Sequence, residues 1–230
     1  MGQAGNSRTH FTAMMACQHR QQRPCLSGDR LVNEVRETLT NRLIDLYQDI
    51  ATDDWPWFED TLSYDNARLP QALILSGYWT SNAKATEIGL RTLGWLAELQ
   101  RAPRGHFRPI GSNGFYRRGE QRADFDQQPI EALAMVSACA EAYRTTDDSR
   151  WLNEARLAFE WFLGRNDVGL ELYDASTGGC HDGLHEDRIN ENQGAESTLA
   201  FLLSLAELKL VESSLAAFRR AAEMTDGGKR

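Results

Sequence analysis

The stretch Asn190-Glu-Asn-Gln-Gly-Ala-Glu-Ser-Thr-Leu-Ala-Phe-Leu-Leu203 decides the fold of this chain. Its mostly polar first half leads directly into a segment that is almost entirely apolar. A helix on the surface of a globular protein would instead place its apolar and polar residues on opposite faces. A helix that is apolar on all sides and polar at its N-terminal end is typical of the inner wall of a helical barrel. In such a barrel the polar end faces a cavity.

The same composition occurs twice more along the chain. The two further stretches are Tyr64-Asp-Asn-Ala-Arg-Leu-Pro-Gln-Ala-Leu-Ile74 and Phe125-Asp-Gln-Gln-Pro-Ile-Glu-Ala-Leu133. Asp126 follows Asp65 by 61 residues, and Asn192 follows Asp126 by 66 residues. A period of this length indicates a repeated unit of two helices and a long loop.

Hydrophobic periodicity predicts one leading helix and three helix pairs, about seven helices in all. The leading helix covers residues 29–50. Each pair consists of an apolar inner helix followed by an amphipathic outer helix: 67–78 with 83–99, 129–143 with 150–163, and 192 onward with 210–224. We therefore predict an all-α fold, an α/α toroid of helical hairpins. The toroid is incomplete, because three inner helices are half of the six that normally close such a ring.

The chain divides into three predicted regions. Residues 1–28 are rich in Gln, Arg and Ser and are expected to form a disordered or poorly packed extension. Residues 29–225 form the partial toroid domain, and residues 226–230 form a solvated tail. The chain is then either a piece of a longer protein or an open arc. An open arc would expose apolar edges on its first and last helices, which favours self-association or another partner.

Composition argues against several classes of function. The net charge of −8 disfavours nucleic acid as a partner, because phosphate binding depends on clustered Lys and Arg. No apolar run approaches the length that spans a bilayer. The four cysteines, at positions 17, 25, 139 and 180, lack the pairing of a metal site. We expect a reduced, cytoplasmic protein without a cofactor.

Carboxyl groups at the polar ends of the predicted inner helices are the candidate catalytic residues. Glycoside cleavage needs two carboxyl groups, one acting as acid and one as base or nucleophile. Asp126 and Glu191 lie at corresponding ends of two inner helices, and Asp60 and Asp182 are further candidates. The alternative role for such residues is helix N-capping. Capping accounts for one polar residue per helix, whereas Asp-Gln-Gln and Asn-Glu-Asn-Gln each contain several.

Neighbouring polar and aromatic residues are candidates for contact with a substrate. A flat aromatic ring suits the apolar face of a sugar, although core packing is the alternative for Trp55 and Trp57. Arg68 either pairs with Asp65 or holds a substrate carboxylate or phosphate. The candidate substrate-binding residues are Trp55, Trp57, Glu59, Asp65, Asn66, Arg68, Tyr116, Gln127, Gln128, His181, His185, Asn190, Asn192, Gln193 and Glu196.

The loop that contains Cys180, His181, Asp182 and His185 offers sulfur, nitrogen and oxygen donors within six residues. A metal site usually takes ligands from a second element as well. The glycines of this loop also mean that four-residue spacing does not place the donors on one face. We expect no metal there. His181 is a candidate general acid, a sugar contact or a plain surface histidine.

Several of these motifs together resemble a known region of bacterial proteins. They are Asp54-Trp-Pro-Trp-Phe-Glu-Asp60 with Tyr64-Asp-Asn-Ala-Arg-Leu-Pro70, Phe125-Asp-Gln-Gln-Pro129, Gly178-Gly-Cys-His-Asp-Gly-Leu-His185 and Asn190-Glu-Asn-Gln-Gly-Ala-Glu-Ser197. In those proteins the region is C-terminal and is linked or fused to a retaining, mannosyltransferase-like glycosyltransferase. The resemblance extends over about residues 31–210, and the region is similar in fold to the six-hairpin glycosidase superfamily.

The resemblance implies a role in carbohydrate metabolism. The expected function is that of a carbohydrate-active protein of the six-hairpin glycosidase-like class, which acts on or binds an oligosaccharide beside a glycosyltransferase partner. As an enzyme it would be glycoside hydrolase-like, with a carboxylate acid/base pair. The alternative is a non-catalytic sugar-binding or scaffolding module of a glycosyltransferase system. A third hypothesis is sugar epimerisation in a similar barrel, which needs inner-helix histidines that this sequence lacks.

Overall fold

The computed structural model describes residues 29–227, with side chains described as far as residue 215. The predicted N-terminal extension and the last three residues of the predicted tail lie outside the described residues. Within them the chain forms six α-helices and six two-residue β-strands, so the fold is all-α as predicted. The helices are α1 (Arg30–Ile50), α2 (Arg68–Thr80), α3 (Ala83–Leu99), α4 (Pro129–Thr146), α5 (Ser149–Glu160) and α6 (Ala195–Gly227).

Two helical hairpins, α2 with α3 and α4 with α5, share the same tight connection. The first helix ends at a residue in the left-handed conformation, Ser81 (φ 55°) or Asp147 (φ 56°). The next residue, Asn82 or Asp148, caps the second helix by accepting a hydrogen bond from its first turn. Asn and Asp are among the preferred N-cap residues because their side chains satisfy otherwise unpaired N–H groups. The connection forces the two helices of each pair to run antiparallel.

The helices pack in two rows. In one row α2 contacts α4, and α4 contacts α6; in the other, α1 packs on α2, α3 on α2 and α5 on both α4 and α6. Helices α2 and α4 are buried along nearly their whole length, in agreement with their predicted inner position. The predicted outer helices α3 and α5 bury one stripe each. Helices of the described region are too short or too polar to cross a membrane.

The last predicted helix pair is a single helix. We expected one helix from residue 192 and another over 210–224, but α6 continues from Ala195 to Gly227. Neither Gly nor Pro occurs from residue 195 to residue 226, so nothing in this stretch disfavours helix continuation. The described part of the chain therefore contains six helices rather than about seven.

Short strands order the two long loops. β1 (Thr61–Leu62) pairs with β2 (Tyr116–Arg117), which ties the first long loop to the segment between α1 and α2. The second long loop folds into two hairpins, β3 (Tyr173–Asp174) with β4 (Gly179–Cys180), and β5 (Gly183–Leu184) with β6 (Ile189–Asn190). Backbone pairing of this kind leaves both loops ordered against the ends of the helices.

Candidate functional site

The N-terminal ends of α2, α4 and α6 meet at one end of the molecule. The Tyr64 hydroxyl, before α2, lies 3.2 Å from Glu196 Oε2 in the first turn of α6. The side-chain amide of Asn66 donates to Glu131 Oε2, in the first turn of α4, at 3.0 Å. The three polar clusters singled out in the sequence therefore gather around the same end of the inner helix row.

Asp126 lies three residues before the start of α4 and has a left-handed backbone conformation, with φ of 36°. Residues other than glycine seldom adopt it, and those that do are concentrated at turns and functional sites. The Asp126 carbonyl accepts hydrogen bonds from the N–H and the hydroxyl of Ser112, both at 3.0 Å. The first long loop thus holds this turn in place.

His185 is placed beside Asp126 by a backbone bridge between their neighbours. Gln127 N–H donates to the Leu184 carbonyl at 3.0 Å, and Leu184 N–H donates back at 2.9 Å. His185 Nδ1 then lies 2.5 Å from Asp126 Oδ1. An ionised carboxylate can only accept hydrogen bonds, so Nδ1 is the donor. In a neutral imidazole this leaves Nε2 as the acceptor nitrogen.

Asp126 and His185 line an open cleft of about 770 Å³. That volume lies within the range of small-molecule sites. Five further residues complete the lining: Asn113, Phe125, Glu186, Asp187 and Arg188. None of these five was a candidate from sequence alone. The cleft offers an amide, a guanidinium, carboxylates, an imidazole and one aromatic ring.

Gln127 supports the Asp126 turn from inside the protein. Its fully buried side chain accepts a hydrogen bond from Trp161 Nε1 and donates to Asp167 Oδ2, both at 2.7 Å. Asp167 also accepts hydrogen bonds from Arg108 and His106. Burial raises the pKa of Asp167, but the hydrogen bonds from these three side chains outweigh it and hold the pKa below its usual value. The Asp167 carboxylate, in the second long loop, thereby joins that loop to Arg108 and His106 of the first long loop, next to the cleft.

Asp65 adopts the same turn before α2 (φ 52°) in a different environment. Its carboxylate is buried and pairs with Arg68 Nε at 3.2 Å. Arg68 also donates to Gln71 Oε1 at 2.8 Å. Of the two roles considered for Arg68, pairing with Asp65 is therefore the one observed.

Glu131 joins the starts of α2 and α4 and was not a candidate from sequence. One of its oxygens accepts the backbone N–H of Asp65, and the other accepts from Asn66. Burial raises the pKa of Glu131 to about 8, and the nearby Asp65 carboxylate adds to this, while the hydrogen bonds from Asn66 and the backbone oppose it. The sequence feature that could have identified Glu131 is its position as an acidic residue in the first turn of an otherwise apolar helix.

The other three candidate catalytic carboxylates occupy different settings. Asp182 Oδ1 accepts hydrogen bonds from the Gly194 N–H at 2.7 Å and the Ser197 hydroxyl at 2.6 Å. It therefore caps α6 from the preceding hairpin. Asp60 and Glu191 are exposed on loops. Of the four, Asp126 is the one that lines the cleft.

The two tryptophans proposed to stack on sugar rings lie in the core. Trp55 and Trp57 are both buried, and their ring centroids lie 5.2 and 5.7 Å from that of Trp95. Trp55 also donates to the Glu59 carbonyl at 2.8 Å. Tyr116 contacts Trp55 edge-on and is half-buried. Core packing, the alternative considered for these tryptophans, is the arrangement that the structure has.

Most of the remaining candidates from the sequence lie in the segment directly before α6. Gln193 donates a hydrogen bond to Asp174 Oδ2 at 3.0 Å. The pKa of the Asp174 carboxyl group lies below its usual value, mainly because of the hydrogen bond from the Ser176 side chain and then that from Gln193. Asn190 accepts from the backbone N–H of Asn192 at 3.1 Å. Two further candidates, Gln128 directly before α4 and His181 in the second loop, are half-buried.

The nitrogen, sulfur and oxygen donors of the second long loop make separate contacts. Within residues 29–227 no group of three or more His, Cys, Asp or Glu side chains is arranged to hold a metal ion. Cys180 is a buried free thiol, and burial raises its pKa to about 12. Its neighbour Asp182 caps α6, and His185 pairs with Asp126. The donors are thus engaged in separate contacts.

Comparisons with known proteins add no family to this geometry. Neither a scan against protein-family models nor a search of curated proteins finds a match for this chain.

Proposed function

We propose that this protein is a carbohydrate-active protein of the six-hairpin glycosidase-like class, which binds an oligosaccharide in the cleft at Asp126 and His185. The observation that carries the proposal is the 2.5 Å contact between these two side chains in a cleft of about 770 Å³. The proposal includes an incomplete α/α toroid. Two helical hairpins with repeated connections, and three inner helix starts gathered at one end, support that arrangement.

The lining of the cleft has the chemistry that a sugar requires. Sugar hydroxyls both donate and accept hydrogen bonds, and the cleft provides acceptors at Asp126 and His185 and donors at Asn113 and Arg188. The Phe125 ring supplies a flat apolar surface for the C–H face of a pyranose.

In the catalytic form of this proposal, Asp126 and His185 act together as the base. Asp126 holds the imidazole by accepting from Nδ1, so that Nε2 can take a proton from a water molecule. The water oxygen then bonds to the anomeric carbon as the glycosidic C–O bond breaks. The leaving oxygen takes a proton from a carboxylic acid, for which Glu186 is the carboxyl group available in the cleft, since Asp187 is paired with Arg188 at 2.7 Å. Inverting glycosidases generally use two carboxyl groups for these roles; here the His185 imidazole, held by Asp126, takes the role of the base.

The test is the release of reducing ends from a panel of oligosaccharides. Removal of a general base typically lowers the rate 10²- to 10⁴-fold, so we expect at least a 100-fold loss for Asp126→Asn and for His185→Gln. Glu37→Gln, an exposed substitution on α1, is the matched control and should leave the rate unchanged. Undiminished release by Asp126→Asn would exclude the catalytic role.

A non-catalytic sugar-binding module is the second candidate. It is favoured by the use of Asp182 and Glu131, two carboxylates at helix starts, to hold backbone and side-chain donors. It predicts saturable sugar binding by calorimetry, weakened by Asp126→Asn, with no reducing ends released by the wild type. In that form the protein would present an oligosaccharide to a glycosyltransferase partner. The buried thiols of Cys139 and Cys180 favour the reducing cytoplasm as its compartment.

A further inference from the structure

Helix α6 has apolar residues on two opposite faces. The inward face packs into the core through Ser197, Phe201, Ser204, Leu208 and Val211, which are all buried. The opposite face, which we call the outer α6 stripe, consists of Ala195, Leu199, Leu202, Leu203, Ala206 and Leu210. These positions recur at steps of three and four residues, so they form one continuous band along the helix.

The outer α6 stripe is uncovered in the described structure. The side chains of its four leucines are 47% to 62% exposed, although none of them belongs to the cleft. Clusters of exposed leucines on a single helix face are uncommon on monomeric proteins and mark interaction sites. The stripe lies at the edge of the inner row, where no further helix of the described chain packs against α6.

The other edge of the helix array is different. Helix α1 covers α2 there, and its exposed positions are mainly charged or polar, with only Leu31 and Val35 as exposed apolar side chains near its start. A head-to-tail contact between copies would place the outer α6 stripe against this polar surface. A contact between two α6 stripes places leucine and alanine side chains of both copies at its centre, and it closes as a twofold dimer instead of growing into a fibre.

We propose that the outer α6 stripe binds the same stripe of a second copy of this chain. The two helices run antiparallel around a twofold axis at Ala206, the smallest residue near the middle of the stripe. Leu202 then faces Leu210 of the second copy. Leu203 faces the aliphatic stem of Lys209, and Leu199 faces Ser213. Lysine stems commonly cover apolar surface in this way.

The length of the stripe is sufficient for a specific dimer. Side chains 197–215 overlap with their symmetry mates in this arrangement, which corresponds to about 28 Å of helix at 1.5 Å per residue. A helix pair of this length buries on the order of 1,000 Å² in total, which is the lower limit for a specific interface. We therefore expect a dimer whose dissociation is observable at micromolar concentrations.

Sedimentation velocity of the full chain between 1 and 100 µM tests the proposal. The wild type should shift from monomer towards dimer over this range. Leu203→Glu and Leu210→Glu should each weaken association at least 10-fold without lowering the melting temperature of the monomer, because both side chains are half-exposed. Leu31→Glu, the matched substitution on α1, should leave the dimer intact. A wild type that is monomeric at 100 µM, or a dimer unaffected by both α6 substitutions, would overturn the proposal.

A cysteine at the twofold axis provides an independent test that does not depend on a destabilising charge. In a background with Cys17 and Cys25 replaced by Ser, Ala206→Cys should form an intermolecular disulfide under mild oxidation. Leu199→Cys, which faces position 213 of the second copy, should not. Equal cross-linking at both positions would exclude the antiparallel arrangement. None of the stripe residues lines the cleft, so the outcome of this test does not depend on whether the cleft binds sugar.

Discussion

The starts of α2 and α4 contain the same backbone turn in two different environments. Asp65 and Asp126 each lie three residues before their helix, and both have positive φ, 52° and 36°. The Asp65 side chain is 8% exposed and pairs with Arg68. The Asp126 side chain is 41% exposed, faces the cleft and pairs with His185. The Asp65 carboxylate is therefore enclosed within the protein, whereas the Asp126 carboxylate is partly exposed to solvent.

The two helix starts differ in the contacts that hold them. At the α2 start, Glu131 and Arg68 satisfy the turn and its carboxylate from within the protein. At the α4 start, the support comes from the backbone of Gln127 and the side chain of Ser112, so the Asp126 carboxylate is left for His185. The α2 start should therefore dominate stability, and the α4 start should dominate ligand binding.

Removal of the Glu131 side chain should have the largest effect on stability. Glu131→Ala leaves the N–H of Asp65 and the donors of Asn66 buried without an acceptor. Unsatisfied buried donors cost 1 to 3 kcal/mol each, so we expect a loss of about 3 kcal/mol in the free energy of unfolding. Urea denaturation measures it. Asp126→Ala, the matched change at the other start, should cost less than about 1 kcal/mol; equal losses would remove the distinction between the two turns.

Glu131 should make the stability of the protein fall as the pH rises. Its pKa is about 8 in the folded protein and near 4.5 when unfolded, so the folded state binds the extra proton. Its stabilising contribution is complete below about pH 4.5 and is lost as the pH rises to 8. We expect a decline of about 4 kcal/mol over this window. Denaturation at several pH values should show this decline in the wild type and a flatter profile in Glu131→Gln. Parallel profiles would contradict the assignment.

Glycine substitutions at the two turns should have opposite and smaller effects. Both aspartates occupy a left-handed conformation that glycine adopts without strain, and relief of that strain is worth about 1 kcal/mol. Asp126→Gly should therefore keep or slightly raise the free energy of unfolding. Asp65→Gly also removes one partner of the buried ion pair with Arg68, which costs about 3 kcal/mol. After the relief of strain we expect a net loss of about 2 kcal/mol. Thermal melts of the two variants side by side measure the difference, and a stabilised Asp65→Gly would contradict the structural role of that carboxylate.

Local patterns were sufficient to predict the helices α1 to α5. The predicted ranges agree with the observed ones to within a few residues, because apolar periodicity, the Asp29 cap and Pro129 at the start of α4 are all local signals. The undivided α6 was missed, because we expected two helices where the structure has one. The absence of Gly and Pro from residue 195 to residue 226 permits a continuous helix, but the packing of α6 against α4 and α5 is not visible in the sequence.

The site was harder to predict, because its contacts join residues that are distant in sequence. The period of the polar clusters correctly indicated that the starts of α2, α4 and α6 belong together, and it drew attention to Asp126. The contact between Asp126 and His185 spans 59 residues, and that between Asp65 and Glu131 spans 66. Which carboxylate is buried and which is exposed depends on how the loops fold over the helix ends, and spacing carries no information on that.

The most direct measurement is an NMR titration of the histidine ring signals with oligosaccharides, with His185 assigned by the loss of its signals in His185→Gln. We predict that a bound oligosaccharide shifts the His185 ring signals in a saturable way. The ring of His106, buried and paired with Asp167, is the internal control and should not move. If sugars bind saturably but leave the His185 signals unchanged, or if no sugar of a broad panel binds, the assignment of the cleft as a carbohydrate site is wrong.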